Sequence, residues 1–140
     1  VVRRQVRCVD ETVEKLGGCT VADRAEIPDA PCTKGFCDLM REVALTGTLG
    51  EMLSVLVVCE WSYLSWGQLV EKDCIRDDFV LYEWVDLHTG EMFEAVIAYL
   101  RGLLDQEGIV LDDAGRAACQ KRFLQAIQIE EDFFDNSYAL

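Results

Sequence analysis

Apolar residues recur at steps of three and four along most of this chain. Val2, Val6, Val9, Val13 and Leu16 form one such stripe, which predicts a helix over residues 1 to 16 that ends at Gly17-Gly18. From Cys19 to Thr33 the pattern fails. Both prolines, Pro28 and Pro31, fall there with several acids and few large apolar residues, so the stretch reads as one long surface connection. Helical spacing resumes from Lys34 to Leu45, with Phe36, Leu39, Met40, Val43 and Ala44 inward and Thr46-Gly47 as the stop. Thr48-Leu49-Gly50-Glu51 is a capping box, in which the threonine hydroxyl accepts from the backbone three residues on and the glutamate reaches back. The helix it starts is predicted to run to about residue 72. Within it, Met52 to Val58 is apolar nearly all round, which means burial on most sides. Residues 77 to 106 form a long helical segment whose core residues are Phe79, Tyr82, Trp84, Leu87, Phe93, Val96, Ile97, Leu100 and Leu104, with Gly90 kinking or dividing it. A last helix starts near Asp112-Asp113, whose side chains suit an amino-terminal cap, and runs to about Tyr138.

Composition supports an all-α reading, because only two prolines interrupt a chain rich in Leu, Ala, Val and Glu. With 51% hydrophobic residues and a mean hydropathy of +0.09, the 140 residues are expected to form a single helical domain, 1–140, with a core. The net charge of −13 excludes nucleic acid and anionic membrane surfaces, which require clustered Lys and Arg. The acids are dispersed, and most of them read as a solvated helix surface. Seven cysteines, at 8, 19, 32, 37, 59, 74 and 119, are an odd number in a chain large enough to fold without staples, so reduced thiols are expected. There is no Cys-x-x-Cys, and His88 is the only histidine, so no metal is expected for want of a ligand set. No stretch reaches the roughly 20 apolar residues of a membrane span, and no signal region opens the chain, which gives a cytoplasmic expectation. Val1 to Val6 already reads as helix, so the native amino-terminal end is expected to lie upstream.

Two helical signatures carry chemistry. In Cys59-Glu60-Trp61-Ser62-Tyr63, the thiol and the phenol lie one turn apart on one face. In Glu130-Glu131-Asp132-Phe133-Phe134, the first carboxylate lies beside two aromatic rings. Cys59 follows the apolar run directly, and by itself it reads as a small buried hydrophobe or as a nucleophile. Glu130, placed among Phe123, Ile127, Phe133 and Phe134, is the best candidate acid, because desolvation there raises a carboxyl pKa. Glu131 suits a surface position instead.

At these residues the chain resembles the TenA family, the thiaminase II or aminopyrimidine aminohydrolases, which have a heme-oxygenase-like helical bundle. The resemblance spans nearly the whole chain. It is carried by Leu45 to Leu53, Cys59-Glu60-Trp61-Ser62-Tyr63, Gly67, Trp84, Phe123, Glu130-Glu131-Asp132-Phe133-Phe134 and Ser137-Tyr138. It implies Cys59 as the catalytic cysteine, Tyr63 as its partner tyrosine, Glu130 as the catalytic glutamate and Phe133 as a pocket aromatic. It further implies hydrolysis of 4-amino-5-aminomethyl-2-methylpyrimidine, or of thiamine, to the hydroxymethylpyrimidine used in thiamine salvage. No metal or organic cofactor is needed, and the family often forms homotetramers.

The chain departs from the family pattern at three places. Phe36 stands where many members have a tyrosine about 23 residues before the cysteine, and His88 stands where a tyrosine follows the tryptophan by one turn. Both are expected to bind substrate, although His88 also reads as a satisfied core histidine. The family's amino-terminal helices carry an aspartate that grips the pyrimidine edge, and they are expected upstream of Val1. On this reading residues 1–140 are the carboxy-terminal two-thirds of a TenA domain. The rival readings are a non-catalytic helical protein whose degenerate pocket binds a pyrimidine or serves assembly, and a thiol-based redox protein.

Overall fold

Seven α-helices and one 3-10 turn account for the secondary structure of the described residues. The computed structural model describes residues 2–18 and 20–138. In chain order the helices are α1 (Val2–Lys15), α2 (Val21–Glu26), α3 (Pro31–Thr46), α4 (Leu49–Val70), α5 (Phe79–Leu87), α6 (Glu91–Val110) and α7 (Asp113–Tyr138). The 3-10 turn, Glu71–Asp73, follows α4 directly. No strand occurs among the described residues, so the all-α expectation holds.

Local chemistry sets the helix boundaries. The Thr48 hydroxyl accepts from Glu51 N at 3.3 Å, while the Glu51 carboxylate accepts from Thr48 N at 3.0 Å, which completes the expected box ahead of α4. Asp112 accepts from Gly115 N at 2.8 Å and caps α7. Pro31 is the first residue of α3, where its missing N–H costs nothing, so this helix starts three residues before the expected Lys34. The expected long connection also contains helix α2, held by a second reciprocal box between Thr20 and Asp23. Cys19, at the head of that connection, lies outside the described residues. Gly90 adopts a φ of +84° and separates α5 from α6, so the expected 77–106 segment is two helices.

The chain divides into two compact units. One comprises Asp29–Ser62 and Val96–Leu140, the other Val1–Pro28 and Tyr63–Ala95, so α4 and α6 each contribute residues to both. In the first unit α3 packs against α7. Its core joins Leu39 and Val43 of α3, Val55 and Val58 of α4 and Ala126 of α7, with Phe36, Met52, Phe123 and Ile129 around them. Arg122 of α7 pins the helix ends by donating to Glu42 at 2.6 Å and to Glu51 at 3.3 Å. Leu49–Asp73 is long and apolar enough to cross a membrane by length and composition, contrary to expectation. The core helix of a helical protein meets the same measure, and Val55 and Val58 are among the core side chains just named.

In the second unit α1 packs against α5. Arg4 grips Glu83 through two bonds of 2.9 and 3.0 Å and also pairs with Asp86. This clamp fixes the rotation of α1, which turns Cys8 inward and leaves Gln5 and Thr12 half-buried. The expected stripe is therefore not the packed face: Val6, Val9 and Leu16 are 55%, 52% and 70% exposed.

Candidate active site

Cys59 stands on α4 just beyond the apolar run that fills the first unit's core, and its side chain is half-buried. Burial pushes its thiol pKa up to about 12, and the neighbouring Glu130 and Glu60 carboxylates push in the same direction. At neutral pH Cys59 therefore rests as the thiol. Glu130 of α7 and Glu60 of α4 are each half-buried, and burial raises both carboxyls above the ordinary glutamate value. The first unit thus brings together a thiol and two carboxyl groups whose pKa values burial raises.

The aromatic residues of this unit lie as follows. Phe133 is 38% exposed and meets Phe134 edge to face, with centroids 5.6 Å apart. Phe36 packs on the core beside Val55 and Val58. A cavity of about 220 Å³ in the same unit is lined by Ser54, Leu104, Leu111, Cys119 and Phe123, among others, and borders neither Cys59 nor Glu130.

Tyr63, one turn after Cys59 on α4, belongs to the second unit and to a run of rings there. Its ring lies 5.4 Å from Trp84 and 5.5 Å from His88. His88 stacks on Trp84 at 4.2 Å and meets Phe93 edge-on at 5.4 Å, while Trp66 meets Trp84 edge-on at 4.6 Å. Gly67 makes this packing possible, since a Cβ there would lie 2.9 Å from Thr89 Cγ2 and 3.0 Å from the His88 carbonyl oxygen.

His88 is buried with both ring nitrogens engaged. Nδ1 lies 2.7 Å from the Trp84 carbonyl, so it carries the proton and donates it. Nε2 then accepts from the Gln5 amide at 3.4 Å. Burial lowers the imidazole pKa, which agrees with a neutral ring.

The structure thus brings Cys59 together with Glu130, and Tyr63 together with His88. The sequence singles out all four for the site, gives Phe93 only as a core residue and leaves Glu60 and Trp66 without a role. The spacing of Trp66, three residues after Tyr63, was an available signal for the ring run. For Glu60 the signal was its place beside Cys59 at the end of an apolar run.

Comparison with known proteins adds two findings. Residues 11–140 match the TENA/THI-4/PQQC family. The aminopyrimidine aminohydrolase of Halalkalibacterium halodurans is 26% identical over 122 residues, covering 86% of this chain and 54% of that protein. The chain therefore spans about half the length of the curated relative it matches.

Proposed function

Since the chain belongs to the TENA/THI-4/PQQC family, we propose that it is a hydrolase acting on 4-amino-2-methylpyrimidines that bear a leaving group on the 5-methylene. The substrates are the aminomethyl compound and thiamine, and the product is the hydroxymethylpyrimidine of thiamine salvage. The observation that carries this reading is the pairing, within one compact unit, of the Cys59 thiol with Glu130, whose charge acts on it. The name of the Halalkalibacterium relative supports the same substrate class.

In the proposed cycle the Cys59 sulfur adds to the electron-poor ring while Glu130 gives a proton to a ring nitrogen. The adduct is an enamine that expels the amine or thiazole from the methylene. Water then adds at the methylene, the ring nitrogen returns its proton, and the thiolate leaves. The burial that raises the Glu130 carboxyl suits it to this acid role, because it holds the proton closer to neutrality. The family resemblance gives Tyr63, on the next turn of α4, the role of partner tyrosine. Phe133, partly exposed, offers a ring face for stacking on the pyrimidine. By the same family reading the enzyme works in the cytoplasm as a homotetramer.

The test is hydrolysis of the aminomethylpyrimidine by the purified protein. Cys59→Ala is expected to bind the pyrimidine and release no product. Wild-type turnover by that variant would sink the mechanism. The burial of the Cys59 side chain, which raises the thiol pKa, favours a second reading, a non-catalytic pyrimidine binder. Tight binding by the unmodified protein, with no product on long incubation, would select it.

A further inference from the structure

His88 is only 7% exposed, and both its ring nitrogens are engaged inside the protein, one with the Trp84 carbonyl and one with the Gln5 amide. A ring so committed serves better as a support than as a ligand. What it supports is the segment of α4 that carries Tyr63. The phenol ring lies 5.5 Å from the imidazole and 5.4 Å from Trp84, on which the imidazole is stacked at 4.2 Å. Gly67 lies one turn further along the same helix face, and a Cβ there would stand 3.0 Å from the His88 carbonyl oxygen. Successive turns of α4 therefore rest on the side chain and the backbone of one residue. Gln5, Tyr63, Gly67, Trp84 and His88 all belong to the same compact unit.

Two bonds on opposite sides of the imidazole fix its plane. The Trp84 carbonyl, 2.7 Å from Nδ1, requires the proton there, so the neutral ring presents a bare Nε2. The Gln5 amide on α1 satisfies that nitrogen at 3.4 Å. Arg4 sets the rotation of α1 that brings Gln5 to it, through its pairing with Glu83 and Asp86. Without the amide, a buried acceptor is left unpaired. The ring relieves this by turning or by taking a second proton, and either change alters the surface on which Tyr63 lies.

We propose that Gln5 is a positioning residue of the hydrolysis, which acts through His88 to hold the Tyr63 phenol in place. The proposal rests on the hydrolase reading above and on the role it gives Tyr63. Gln5 and His88 themselves touch none of the reacting atoms.

His88 is the only histidine in the chain, so long-range 1H–15N NMR reads its imidazole directly. At neutral pH the unmodified protein is expected to show the tautomer protonated on Nδ1. A ring protonated on Nε2 alone, or on both nitrogens, would overturn the proposal whatever the turnover. Gln5→Met keeps the length of the side chain and removes the donor. Its kcat for the aminomethylpyrimidine is expected to fall about 10- to 100-fold, the scale of a small misplacement at a reacting centre, with KM kept within about twofold. An unchanged kcat would overturn the assignment. So would a raised KM at wild-type kcat, which is the mark of lost substrate binding. The double variant separates positioning from general loosening. If Gln5 acts through Tyr63, Gln5→Met adds less than about twofold to the loss already present in Tyr63→Phe. Losses that multiply independently would overturn the proposal, as would a Tyr63→Phe protein of wild-type kcat. Where Gln5→Met lowers the helix content seen by circular dichroism, the tautomer of the unmodified protein carries the test. Failure of the hydrolase reading looks different: the unmodified protein binds the pyrimidine without releasing product, or Cys59→Ala turns over at the wild-type rate. Failure of the Gln5 assignment alone shows as a fully active Gln5→Met beside an inactive Cys59→Ala.

Discussion

At the scale of single residues, His88 shows how a site in the sequence acquires a physical role. Nδ1–H points at the Trp84 carbonyl, and Nε2 accepts from Gln5, so a second ring proton would face an amide donor. The folded protein therefore resists protonation, and burial keeps the imidazole pKa below its ordinary value near 6.5. The unfolded chain binds that proton as pH falls through about 6.5 and the folded chain does not. Stability is thus lost towards acid on account of this residue. Glu60 and Glu130, with raised pKa values, work in the opposite sense, because the folded state holds their protons longer. Comparing urea midpoints at pH 7.5 and 5.5 for wild type and His88→Phe isolates the histidine: the variant is expected to lose less stability on acidification. Cys59, Tyr63 and Glu130 stand out in the sequence because thiol, phenol and carboxylate fall at helical spacing beside aromatic residues. Glu60 stands out less, because its one signal is its place after the apolar run and Cys59, which does not by itself separate a half-buried carboxylate from a solvated one.

At the scale of elements, most helices and their caps are legible where a periodic stretch meets a chemically specific boundary, as at Thr48 and Asp112. Helix α2 is not, since six residues between two glycines and two prolines offer too short a window for a period of 3.6 to show. The rotation of α1 is hidden for a different reason. Its valines form a regular stripe, but the guanidinium of Arg4 against Glu83 and Asp86 decides which side packs, and partners 79 and 82 residues away leave no local trace. Gly90 is the clearest test at this level. Its φ of +84° is costly for any residue with a Cβ, and a Cβ built there meets nothing within 4 Å, so the whole effect of Gly90→Ala is conformational. A loss of about 1–2 kcal/mol is expected in chemical denaturation, with the α5 and α6 helices otherwise kept.

At the scale of the whole molecule, the helical class follows from scarce prolines and pervasive helical periodicity, whereas the division into two compact units does not. Each unit combines segments distant in sequence, and α4 and α6 run through both, so no break in composition marks the division. The core of the Asp29–Ser62 and Val96–Leu140 unit rests on few side chains. Leu39, 2% exposed, lies against Val43, Val55, Val58 and Ala126, and Leu39→Ala is expected to cost about 2–5 kcal/mol, measured by the shift in denaturation midpoint. The distribution of thiols across the molecule has a consequence for survival in an oxidising cell. Peroxide attacks thiolates that solvent can reach. Of the six described cysteines Cys37 alone is exposed, while Cys59 is half-buried and holds its proton up to about pH 12. The same burial that makes Cys59 an idle nucleophile at rest shields it from sulfenic acid formation, so the centre can outlast oxidative damage recorded on the surface.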